Sequence, residues 1–153
     1  MEPDSRRPSL AGDLHALGAA PEAPDESASG TESVAMELSI SAVPTALDVL
    51  RSATGRLSHT MGFSYSGIED LTMAVDEAAT ILLTTSPREL GLAVTRPRFD
   101  GPLHLTVTAG EPTKSLDLGE LRAGYRWQLL EVLCEDVGWA DAGTAIELVQ
   151  TVR

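Results

Sequence analysis

Between residues 66 and 109 the spacing of apolar residues changes from three-and-four to two, and this switch narrows the fold most. Ile68, Leu71, Val75, Ala78 and Leu82 recur at helical intervals, while Leu103, Leu105, Val107 and Ala109 alternate with His104, Thr106 and Thr108. The first series is one apolar stripe on a helix, and the second is a strand with one buried face. A stripe and a half-buried face must cover each other. The helix is expected to start at Ser66, with Ser66 and Glu69 as a capping box, and to stop before Pro87. His104 falls on the solvent side of its strand.

The same reading extends in both directions. Met36, Leu38, Ile40 and Ala42 alternate with polar residues and predict a half-buried first strand. Pro44 and Thr45 open a helix whose apolar positions are Leu47, Leu50, Thr54, Leu57 and Met61, with Gly62 as its cap. A strand is expected near 90–96, a polar connection over 110–123, a third helix from Gly124 to Val137, and a last strand over 144–152 with Thr144, Ile146 and Leu148 on one face. The order is β-α-α-β-β-α-β. It implies an α+β two-layer sandwich, with helices on one face of a mostly antiparallel sheet.

Length and composition set the limits. At 153 residues the chain suits one domain, and with aromatics at 4% its core must be aliphatic. Acids number 23 against 11 bases, and ten of those bases are arginine, Lys114 being the one lysine. A net charge of −12 argues against nucleic acid or an anionic membrane as a direct ligand and favours a basic partner. No apolar run approaches the roughly 20 residues of a membrane helix. A single cysteine, Cys134, excludes an internal disulfide and fits a buried thiol in a reducing cytoplasm. His15, His59 and His104 are far apart, so no metal site is expected.

Residues 1–33 hold four of the nine prolines and seven acids, and predict a disordered arm before a domain over 34–153. The arm reads as a solvated leader or as a partner-binding tail. Ser5-Arg6-Arg7-Pro8-Ser9-Leu10 is similar to a twin-arginine export start, but Asp13 and His15 interrupt the apolar stretch that should follow. Export is not expected, and the chain reads as cytoplasmic. Thr113-Lys114-Ser115 lacks the glycines of a phosphate loop, and neither a Cys–His nor a Ser–His pairing is legible.

The stretch Leu71-Thr72-Met73-Ala74-Val75-Asp76-Glu77-Ala78-Ala79-Thr80-Ile81 resembles the Glu-x-x-x-Asn helix of the anti-sigma-factor serine kinases. These belong to the GHKL ATPase superfamily, with the Bergerat nucleotide-binding fold. The resemblance covers about residues 34–153 and includes the leucine-rich helix after Gly124 and the pair Gly143-Thr144. It implies a general base at Glu77, where the residues alone would give a solvated helix acid. The family's Mg²⁺-binding asparagine falls on Ile81, which offers no oxygen to a hard cation. Thr85 stands where the family often has histidine. The adenine-reading aspartate of Asp-x-Gly-x-Gly falls on Ala109, followed by Gly110-Glu111-Pro112. The phosphate-cradling Gly-x-Gly keeps only Gly124, before Tyr125-Arg126, while Gly143-Thr144 is whole. Read alone, Gly143-Thr144 is a turn before a strand and Ile81 is ordinary packing.

The resemblance therefore implies a degenerate nucleotide site, with Mg-ATP binding weak or lost. It also places a partner-contacting arginine at Arg51, which is otherwise a plain surface residue on an amphipathic helix. The partners implied are a sigma factor and an anti-anti-sigma protein, and a homodimer is compatible. Three functions follow: a binding protein without kinase activity, an active serine kinase acting on an anti-anti-sigma protein, or an α+β interaction module with no nucleotide history.

Overall fold

A computed structural model describes residues 33–153. The arm expected over 1–33 and its arginine pair lie outside the described residues, apart from Ser33, which opens the first strand. The elements are β1 (Ser33–Ser41), α1 (Ala46–Thr60), α2 (Tyr65–Leu83), β2 (Glu89–Arg96), β3 (Leu103–Gly110), α3 (Leu118–Ala123), α4 (Tyr125–Leu133), β4 (Asp136–Ala140) and β5 (Ala145–Gln150). A short 3₁₀ turn, Asp141–Gly143, joins the last two strands.

The five strands form one sheet in the order β1-β2-β3-β5-β4, and every neighbouring pair is antiparallel. Leu38 lies opposite Leu92, Leu92 opposite Val107, and Val107 opposite Ile146. Period-two registers of this kind put one row of apolar side chains on one face. That face is covered by α2, whose Leu71, Val75, Ala78 and Leu82 are buried against it. Ala74, Ala78 and Ala79 keep the helix thin, so α1, α4 and the sheet all pack around it. The fold is thus an α+β two-layer sandwich, as the two periodicities require.

Four local expectations need correction. α2 is capped by Ser64, whose hydroxyl accepts from the Gly67 amide at 3.2 Å; Ser66 lies inside the helix. The connection over 110–123 contains a helix, α3, capped by Asp117, which accepts from the Glu120 amide at 3.1 Å. The third helix stops at Leu133, because Cys134 is already extended and Val137 belongs to β4. The last strand begins at Ala145, so Thr144 sits in the turn before it.

The ring of Trp127 on α4 stacks on that of Trp139 on β4, with centroids 4.8 Å apart. Cys134, between the two elements, is buried. Burial first, and then the carboxylates of Asp70 and Glu135, push its thiol up to about 12. A thiolate is the reactive form. In a thiol-reagent assay at about pH 8, native Cys134 is expected to react at least about a hundred-fold more slowly than the urea-unfolded chain. Equal rates would show that the α4–β4 corner opens readily.

Candidate functional site

Glu77 and Ile81 lie one turn apart on α2, facing the segment that carries α3 and the start of α4. Between them opens a cleft of about 670 Å³, lined by Glu77, Ile81, Leu116, Asp117, Leu121 and Arg126 among others. Ile81 is 2% exposed and belongs to the core, so the cleft floor at that point is hydrocarbon. The Arg126 guanidinium donates to the Glu77 carboxylate at 2.6 Å. That carboxylate is accordingly already engaged by a charge-assisted bond.

Gly124 sits at the joint between α3 and α4. Its amide donates to the Leu121 carbonyl at 3.0 Å and its carbonyl accepts from the Gln128 amide. The amide is thus spent on capping α3.

A second cleft, of about 450 Å³, lies beside Thr85, Thr113, Leu118, Gly143 and Thr144. Ser115 and Leu116 line both clefts, so the two adjoin across that short stretch. Gly143 adopts φ +88°, a conformation that glycine takes at no steric penalty. The Leu118 side chain lies over it, 3.4 Å from where a Cβ would stand. Ala109 donates its amide to the Thr144 carbonyl at 2.8 Å, which ties the end of β3 to this turn. The Thr144 hydroxyl donates to the Asp141 carbonyl at 2.9 Å. Glu111, at φ +50°, reaches Arg88 at 3.3 Å.

The structure therefore gathers Glu77, Ile81 and Gly124 at one cleft and Gly143 and Thr144 at the other, while Ala109 lines neither and is buried in the core, joined to the turn only through its amide. Arg51 lines neither. It lies on α1, where its Nε donates to Asp76 at 2.8 Å and its Nη1 to Asp48 at 2.9 Å. The hydrogen bond to Asp76 is the chief cause holding its pKa above the ordinary value. Among the described residues no three His, Cys, Asp or Glu side chains gather where a metal ion could be held, and no helix is long and apolar enough to cross a membrane.

No family model and no curated protein matches the sequence. Solved structures do match. One is a chain of Mycobacterium tuberculosis, solved as the RsbU and RsbW domains of Rv1364c; it aligns at TM-score 0.58 and 15% identity, over 76% of this chain and 31% of that one. The fold is shared. At that identity the likeness speaks for the α+β architecture, and this chain spans about a third of the other's length.

Several residues at the clefts were not singled out in the sequence. Leu116, Leu118 and Leu121 fill or close them, and Arg126, read from the sequence only as a break in Gly-x-Gly, reaches Glu77. A signal existed for α3, since Asp117 followed by Glu120 is the spacing of a capped helix start. Nothing local marks Arg126 as the partner of Glu77, because 49 residues separate them.

Proposed function

We propose that this chain is an anti-sigma-factor-like regulatory protein that binds a sigma factor, an anti-anti-sigma protein or both, without kinase activity. The observation that carries the reading is the buried hydrocarbon of Ile81, one turn from Glu77, where the resemblance puts the magnesium-binding asparagine; Arg126 lies across the Glu77 carboxylate at 2.6 Å. A general base must be free to take a proton from its nucleophile. Here the carboxylate at that station is engaged, and the next station on the same helix face carries no oxygen. Ala109, where the resemblance puts the adenine-reading aspartate, is buried in the core and has no side-chain acceptor. These residues do not fit Mg-ATP.

What such a scaffold retains is surface. The sequence resemblance to anti-sigma-factor serine kinases supplies the partner class, and the fold shared with a chain that contains an RsbW domain supports it. A strongly acidic chain suits the basic surfaces of a sigma factor. Titration of the purified full chain against each sigma factor and anti-anti-sigma protein of its host is the direct test. Binding to at least one, weakening as salt rises, is the expected result. A folded sample that binds none would leave the chain as an unrelated interaction module.

A further inference from the structure

Arg51 looks from the sequence like an outward anchor, yet its guanidinium is turned onto its own chain. Asp76 on α2 and Asp48 on α1 both hold it, at 2.8 and 2.9 Å. Beside this cluster runs a groove of about 650 Å³ along α2, and its lining includes Arg51, Tyr65, Ile68, Glu69, Met73 and Asp76. Tyr65 is 78% exposed and Met73 47%, unusual values for large apolar side chains on a helix that otherwise buries its apolar residues. Glu69 and Asp70, which also line the groove, form no ion pair among the described residues. The groove thus combines adaptable apolar anchors with an excess of carboxylate over guanidinium.

We infer that this groove receives a basic segment with an apolar face, an amphipathic helix of a partner protein, and that Arg51 is its internal stand-in and not the anchor. The incoming segment's arginines or lysines take over Asp76 and Asp48, while its apolar residues settle on Met73, Ile68 and Tyr65. Ion pairs as exposed as these two yield readily to a competitor of the same charge. The inference rests on the partner-binding reading above, but it inverts the role that the resemblance gives Arg51.

The probe is a fluorescein-labelled amphipathic peptide of about 18 residues, leucine on one face and arginine on the flanks, with a counterpart carrying glutamine for every arginine. Anisotropy with the full chain is expected to show the arginine peptide binding at least about ten-fold more tightly than the glutamine one. Met73→Glu and Glu69→Lys should each weaken it about ten-fold, while Glu147→Lys on the opposite face of the sheet should change it less than about two-fold. The deciding variant is R51Q. It frees Asp48 and Asp76, so affinity should rise about three-fold or more. The inference is overturned if R51Q weakens binding or leaves it unchanged, or if Glu147→Lys matters as much as Glu69→Lys. Circular dichroism of each variant confirms the fold. The peptide result is independent of which sigma factor the host carries, so groove and function fail separately.

Discussion

Trp127→Ala is expected to remove about 3–5 kcal/mol of folding stability, the usual range for truncating a buried aromatic ring. Trp127 is 3% exposed, and its ring is the face on which Trp139 stacks. Its indole N–H donates to Glu131 at 3.0 Å, so the truncation also strips a partner from that carboxylate. The stacked pair adds about 0.5–1.5 kcal/mol beyond the area it buries. Domains of this size carry roughly 5–15 kcal/mol in all, so the variant should sit near its unfolding threshold. Trp139→Phe is the informative contrast. Its indole nitrogen is buried and finds no partner among the described residues, so phenylalanine removes that donor while keeping a ring against Trp127. That change is expected to stay within about 1.5 kcal/mol. Urea melts followed by far-ultraviolet circular dichroism read both. A Trp127→Ala loss below about 1 kcal/mol would mean that the α4–β4 corner is not part of the cooperative core.

The contrast between what was legible and what was not follows the range of the interactions. Leu103, Leu105, Val107 and Ala109 are buried in sequence order because a strand flanked on both sides by partners has no choice of face. The α2 stripe is equally plain, since a long helix against a sheet must repeat its contact every turn. β4 is different. Asp136–Ala140 is five residues long and follows a leucine run, and what makes it a strand is its pairing with β5 and the Trp127–Trp139 stack. Those are tertiary causes, absent from any local window. The capping-box spacing points to Ser66, but the backbone is extended at Ser64, at ψ 163°, and that residue caps the helix. At the clefts, Glu77, Ile81 and Gly124 could be picked out by resemblance. The contact of Arg126 with Glu77 and the cover that Leu118 gives Gly143 could not, because both depend on how α3 and α4 fold back across the helix layer.

Calorimetry of the full chain with Mg-ATP is expected to show no binding in the micromolar range, and no phosphate should be transferred to an anti-anti-sigma protein. Three features of the proposed reading stand behind this. Ile81 supplies no oxygen for magnesium, which prefers an all-oxygen shell. On the proposed reading, Ala109 stands where the resemblance puts the adenine-binding aspartate and offers no side-chain acceptor. Arg126 engages Glu77 at 2.6 Å. Each lost hydrogen-bonded or charged contact costs about 1–3 kcal/mol, so two of them already imply roughly 30-fold to 10⁴-fold weaker binding. Single repair should therefore fail. Ile81→Asn restores one oxygen but plants an amide at a position 2% exposed, where an unsatisfied polar group costs about 1–3 kcal/mol. It should destabilise the chain without producing affinity. Arg126→Ala should free Glu77 with little effect on the fold, since Arg126 is 53% exposed and exposed pairs contribute little; it too should leave Mg-ATP unbound. Micromolar Mg-ATP affinity in the unaltered chain, or in Ile81→Asn alone, would mean that adenine and metal are read by residues other than these.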